Sequence, residues 1–272
     1  MVRCMSNYIP FALAALVTFC ATPALANPEE VVLDARLLPG WSTDRGTHMA
    51  ALSLTLAPGW KTYWRSPGEA GIPPEFDWSA SQNLRSVALH WPTPKVFHSQ
   101  GMQSIGYHDG MLLPIEVTAT DPGQPIVLNA RVDIGVCEDI CVPASLELSV
   151  TLTQPGLGDP AIKAALRDQP ISAQAGGVDA VSCTTEAISD GLRLTATVVM
   201  PPAGHTETVV IEPGLPEVWT SDSAVMRSGN TLTAAADLVG PSGAPFALDR
   251  SAIVLTVLGG AQAVEIRGCA AE

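Results

Sequence analysis

The chain has 272 residues and a formal net charge of −13, with 23 glycines, 23 prolines and 5% aromatic residues. That length accommodates two cores of about 100–150 residues each. The acidity argues against the basic face that nucleic-acid binding needs, and abundant turn formers with few aromatics favour short strands over helices.

The N-terminus reads as an export signal. Arg3 precedes an apolar run, Ile9 to Phe19, that is broken by Pro10 and too short to span a bilayer. Ala24-Leu25-Ala26 supplies small residues for cleavage after Ala26, so residues 1–26 are expected to be a signal peptide. Cys20 follows Val17-Thr18-Phe19 and lacks the small preceding residue that lipidation requires. Cleavage removes Cys4 and Cys20 and leaves four cysteines in a compartment that permits disulfides. No later segment reads as a membrane helix.

The first half reads as strands. Met49 to Leu56 places Ala50, Leu52, Leu54 and Leu56 on one face. Pro58-Gly59 turns the chain into Trp60–Trp64, and Ser66–Pro74 is a loop rich in Pro and Gly. Leu84–Trp91 is strand-like, Lys95–Gly110 has little periodicity, and Met111–Thr118 resumes a strand. Ile126–Val136 and Val142–Leu152 are the two best strands of this half, and they flank Cys137-Glu138-Asp139-Ile140-Cys141. Between residues 156 and 177 the pattern changes to a connection with a short helix. Asp159 is its N-cap and Pro160 its first position. From Val178 to the end, short strands return at regular intervals, as in a second, smaller antiparallel β-sandwich.

Four cysteines allow three pairings. Cys183 and Cys269 bracket the second domain, and a bond between them closes a loop of about 87 residues. The chain-entropy model gives such a loop about 4–5 kcal/mol, so this pair reads as a staple. Cys137 and Cys141 then pair with each other. A loop of about five residues constrains the unfolded chain little. If Glu138-Asp139-Ile140 forms a three-residue hairpin loop, the two cysteines oppose each other across the strand pair. Glu138 and Asp139 disfavour thiolates nearby. Spacing alone leaves three readings open: a redox pair, a structural hairpin bridge, or half of a metal site.

Several short stretches carry a resemblance. They are Gly59-Trp60-Lys61-Thr62-Tyr63-Trp64, Pro67-Gly68-Glu69-Ala70-Gly71-Ile72-Pro73, Trp91-Pro92-Thr93-Pro94, Gly106-Tyr107-His108-Asp109-Gly110 leading to Leu112-Leu113-Pro114, and Val136 to Pro143 with the cysteine pair. In this order they resemble the N-terminal periplasmic domain of the thiol:disulfide interchange protein DsbD, and more closely the ScsB-type proteins associated with suppression of copper sensitivity. The resemblance spans about residues 31–153. It implies an immunoglobulin-like β-sandwich for residues 27–155 and a periplasmic location. It also implies a dithiol–disulfide reductase component without a cofactor, in which Cys141 bonds to partners and Cys137 resolves. The implied partners are a separate membrane thiol electron transporter of DsbD or CcdA type, expected because this chain shows neither membrane segment nor Cys-x-x-Cys, and thioredoxin-like periplasmic proteins. Tyr63 matches a family tyrosine near the redox pair, with sandwich packing as its alternative role. Lys95–Tyr107 occupies the place of the family's cap loop, and Phe97 and His98 are the candidates for the shielding contact. The cysteine spacing departs from that of the enterobacterial domain, so potential and partner choice do not transfer. His48, His90 and His108 lack metal-ligand spacing, Met102 and Met111 form no copper-like cluster, and no metal site is expected. The competing reading is a non-catalytic copper-handling or adaptor module with two structural disulfides.

Overall fold

The computed structural model describes residues 28–99 and 101–271, and the expected signal peptide lies outside them. After one helical turn, α1 (Pro28–Val31), ten strands follow. They are β1 (Val32–Ser42), β2 (His48–Leu56), β3 (Lys61–Tyr63), β4 (Glu75–Asp77), β5 (Leu84–Leu89), β6 (Lys95–Ser99), β7 (Met102–His108), β8 (Gly110–Ala119), β9 (Ile126–Cys137) and β10 (Cys141–Leu152). One sheet has the order β1-β2-β8-β5. The other has the order β10-β9-β3-β7-β6, with β4 added on β9.

Side chains alternate between the faces of a strand, and this sorts the residues. Ala50, Leu52, Leu54 and Leu56 of β2 enter the core between the sheets, with Leu113, Ile115 and Val117 of β8. Leu128, Ala130, Val132, Ile134 and Val136 of β9 meet them from the other side. Each large apolar side chain so buried contributes about 1.5–3 kcal/mol, so a one-residue slip of β9 would forfeit most of this core. The same alternation leaves Asp133, Gly135 and Cys137 on the outer face of their sheet.

The segment read as aperiodic, Lys95–Gly110, forms the β6–β7 hairpin. Its pattern is interrupted by Gly106, where a Cβ would lie 2.0 Å from the Thr62 carbonyl oxygen. Close approach to β3 demands glycine there and erases the alternation. β1 is broken for a related reason: its register with β2 shifts twice, and Gly40 has φ +59°.

Helix α2 (Pro160–Arg167) follows, and Asp159 accepts hydrogen bonds from the amides of Ala161 (2.7 Å) and Ile162 (3.3 Å). It does not hang between domains. Ile162 is buried against Met49 and Ala51 on the outer face of the β2 sheet, flanked by Leu38, Trp41 and Leu112.

The remaining strands are β11 (Ile171–Ser172), β12 (Ala180–Ile188), β13 (Gly191–Val199), β14 (Thr208–Glu212), β15 (Trp219–Thr220), β16 (Ala224–Ser228), β17 (Thr231–Val239), β18 (Val254–Leu258), β19 (Ala263–Arg267) and β20 (Ala270–Ala271). They make two sheets, β11-β19-β18-β14 and β15-β17-β13-β12-β20, with β16 beside β17. Leu194, Ala196, Val198, Leu232, Leu255 and Val257 fill the space between. The fold is all-β: an immunoglobulin-like sandwich followed by a second sandwich. Among the described residues no helix is long and apolar enough to cross a membrane.

The two sandwiches meet just past β3. Arg65 donates to Glu212 (2.8 and 2.9 Å) and Glu265 (2.8 Å), and its guanidinium lies 4.4 Å from the Trp64 ring centre. Burial opposes that charge, but the two glutamates outweigh it and hold the guanidinium well above its ordinary pKa. The backbone amides of Glu69 and Asp222 are each accepted by the other's carboxylate, at 3.3 and 3.0 Å. Val210, Leu258 and Ala263 pack into the first core. Beside these contacts lies a cleft of about 730 Å³ between the segments 65–73 and 209–223.

Candidate functional site

β9 ends at Cys137 and β10 begins at Cys141, with the two residues paired in register. The loop between them has three residues, closed by the Glu138 amide donating to the Ile140 carbonyl at 3.1 Å. The sulfurs are bonded and the Cα atoms lie 4.1 Å apart. Their surroundings differ sharply. Cys137 is 2% exposed, whereas Cys141 faces solvent together with Glu138, Asp139 and Ile140. Cys141 is thus the more accessible residue of the pair.

Tyr63 defines the buried side. It is on β3, opposite Gly135 on the outer face, and not in the sandwich core. Its hydroxyl donates to Cys137 Sγ at 3.0 Å, with the Ala70 carbonyl at 3.5 Å and Cys141 Sγ at 3.6 Å. A disulfide sulfur carries no proton, so the phenol is the donor. Burial raises the Tyr63 pKa, which keeps that proton on oxygen. The loop before β4 covers the ring. A Cβ on Gly135 would lie 2.9 Å from Ile72 Cβ and 3.3 Å from Tyr63 Cε2, so Ile72 and the phenol ring share the space that glycine leaves free. Thr62, on the inner face, donates to the Gly135 carbonyl at 3.0 Å and ties β3 to β9.

The other predicted residues are spread around this centre. Glu138 folds back over the turn before β3, where a Cβ on Gly59 would come within 2.6 Å of Glu138 Oε1. Phe97 lies 6.1 Å from the His108 ring and has Lys61 Nζ 5.4 Å from its centre. His98 is turned to the second sandwich, near enough to Asp222 to act on its charge. Among the described contacts neither reaches a sulfur; the packing next to the pair comes from Tyr63 and the Ile72 loop. Lys61 was not anticipated. It is paired with Cys137 on one side and His108 on the other.

The histidines are dispersed. His48 Nε2 bonds the Pro39 carbonyl, His90 bonds Glu116 and His108 bonds Asp109, at 2.6, 2.9 and 2.9 Å. The His108 contact, then the Gly59 amide, holds Asp109 below the usual carboxylate range. Among the described residues no cluster of three or more His, Cys, Asp or Glu could hold a metal ion. In the second sandwich, Cys183 and Cys269 are bonded with Cα atoms 5.6 Å apart, and both are buried.

Residues 30–153 match the family model for the thiol:disulfide interchange protein DsbD, N-terminal. That match covers the first sandwich. The matched segment ends just after β10, the strand that carries Cys141. The likeness in fold extends further. The N-terminal periplasmic domain of ScsB from Proteus mirabilis superposes with a TM-score of 0.64 at 24% identity, covering 85% of this chain and 90% of that one. A protein of unknown function from Porphyromonas gingivalis W83 aligns with a TM-score of only 0.22 at 14% identity, over 87% of this chain and 98% of that one. No curated protein matches the sequence. The DsbD-type domain and its bonded cysteine pair together make thiol–disulfide exchange the chemistry of this module.

Proposed function

We propose that this chain is a periplasmic relay that passes reducing equivalents through Cys137 and Cys141. The donor in this reading is a separate membrane thiol electron transporter, and the acceptors are thioredoxin-like periplasmic oxidoreductases. Residues 27–155 are the exchange module, 156–177 the connection, and 178–272 a second sandwich that braces the first. The observation that carries the reading is the asymmetry of the pair: an exposed Cys141 bonded to a buried Cys137 whose sulfur already receives a phenolic hydrogen bond.

The exchange balances as follows. A donor thiolate attacks Cys141 Sγ, the Cys137–Cys141 bond breaks, and Cys137 leaves as a thiolate. The donor's second thiolate then attacks its own sulfur in the mixed disulfide and releases Cys141, so two electrons have arrived. In the onward step the Cys141 thiolate attacks the acceptor disulfide. Cys137 then attacks Cys141 Sγ, restores the internal bond and frees the acceptor as a dithiol.

The test is the reduction potential of the pair, measured by equilibration in thiol redox buffers and alkylation of free cysteines. A relay is expected above about −300 mV, and a value well below it would mark a structural bond and reject the reading. With a thioredoxin-like partner, the Cys137→Ala variant is expected to accumulate the mixed disulfide through Cys141. Accumulation only in Cys141→Ala would reverse the roles.

A further inference from the structure

We infer that Lys61 is the cation that stabilises the Cys137 thiolate when the pair opens, an inference that rests on the exchange reading above. Lys61 sits in the ladder directly between Cys137 and His108, on the same outer face as both. Cβ atoms of such opposed residues lie roughly 4.5–5.5 Å apart, so a four-carbon side chain reaches the neighbouring sulfur by rotation alone. In the oxidised protein there is no charge at Cys137 to attract it. Its ammonium instead rests against the Phe97 ring at 5.4 Å.

Nearby anions do not hold the lysine. Asp109 is engaged by His108 at 2.9 Å and by the Gly59 amide at 3.0 Å, and Glu138 lies over Gly59. Among the described residues Lys61 belongs to no ion pair. Breaking the disulfide creates a negative charge at the buried sulfur. Tyr63 supplies one hydrogen bond to it, and Lys61 supplies the only full positive charge in the adjacent ladder position. A thiolate stabilised in this way is a better leaving group, and exchange at Cys141 runs faster. The lysine also offsets Glu138 and Asp139, which act in the opposite sense. Phe97 thereby has a role other than shielding: it parks the ammonium while the pair is oxidised.

The experiment follows reduction of the Cys137–Cys141 bond by dithiothreitol across pH, with thiolate absorbance of the reduced protein read in parallel. The titratable groups around Cys137 are Lys61 and Tyr63 on β3, His108 with Asp109, Lys95 on β6, and Glu138 and Asp139 in the loop. Lys61→Met is expected to raise the Cys137 pKa by about one unit and slow reduction about three- to tenfold at neutral pH. Lys61→Arg keeps the charge and is expected to stay within about twofold of the wild type. High salt should narrow the gap between Met and wild type. Phe97→Leu removes the resting place but not the charge, so its rate should match or exceed the wild type. An unchanged rate and pH profile in Lys61→Met overturns the inference, and so does a Phe97→Leu variant as slow as Lys61→Met, which would reduce the cluster to packing. If the wild-type bond itself resists thiols, it is the relay that fails and not the lysine.

Discussion

Replacing Tyr63 with phenylalanine deletes one oxygen and leaves the ring packed beside Ile72 and Gly135. The deleted group donates to Cys137 Sγ at 3.0 Å in a buried setting. In the oxidised protein the acceptor is a disulfide sulfur, a weak partner, and the bond contributes at most about 0.5–1 kcal/mol. In the reduced protein the acceptor is a thiolate, and a hydrogen bond to a charged group contributes about 1.5–3 kcal/mol. The difference, about 1–2 kcal/mol, falls on the reduced form alone. Losing it raises the Cys137 pKa by about 0.7–1.5 units. It also makes the pair harder to reduce, by about 20–45 mV in the negative direction wherever Cys137 is ionised. Redox-buffer equilibration reads the potential, and absorbance titration of the reduced protein reads the pKa. A Tyr63→Phe potential within about 5 mV of the wild type, with the pKa unmoved, would refute the hydrogen-bond argument and return Tyr63 to a packing role. A shift to less negative potential would mean that the phenol favours the disulfide.

Three other perturbations follow from the same structure. Replacing Cys183 and Cys269 with alanine should lower stability by up to about 4–5 kcal/mol, against about 2 kcal/mol for the same change at Cys137 and Cys141, because the closed loops differ so much in length. Urea unfolding of the two double variants compares them, and equal losses would contradict the assignment of staple and tool. Arg65→Met leaves Glu212 and Glu265 facing each other at a partly buried contact. It should cost about 2–3 kcal/mol and split the thermal transition into two, as seen by calorimetry; an unchanged single transition would show that apolar packing alone joins the sandwiches. Burial lowers the His48 pKa below 6.5 while its Nε2 bonds the Pro39 carbonyl. The unfolded chain then binds a proton that the folded one refuses. Stability should decline as pH falls below about 6.5 and level off beneath the folded pKa. Thermal midpoints between pH 5 and 7.5 should be flatter in His48→Gln than in the wild type.

Much of the fold was legible. The runs Ile126–Val136 and Val142–Leu152 alternate cleanly because one face meets a core and the other meets water or a covering loop, and the strands run within a residue of those bounds. The β6–β7 hairpin was not legible, because Gly106 stands where β3 approaches too closely for a side chain. Helix α2 was expected from Asp159 and Pro160, but not its docking. Met49 and Ala51 give no sign in sequence that a helix more than one hundred residues later will cover them.

The candidate site divides in the same way. Local sequence was enough for the three-residue loop and the opposed cysteines, since a hairpin's pairing is set by its own turn. Which cysteine is buried, and that Tyr63 and Lys61 of β3 lie next to it, depends on β3 lying beside β9, more than seventy residues away in the chain. The second sandwich's grip on Arg65 likewise joins residues that are 147 and 200 positions apart. Short-range patterns encode the strand and its faces. Long-range packing, in which no residue carries its partner's address, decided the chemistry around the pair.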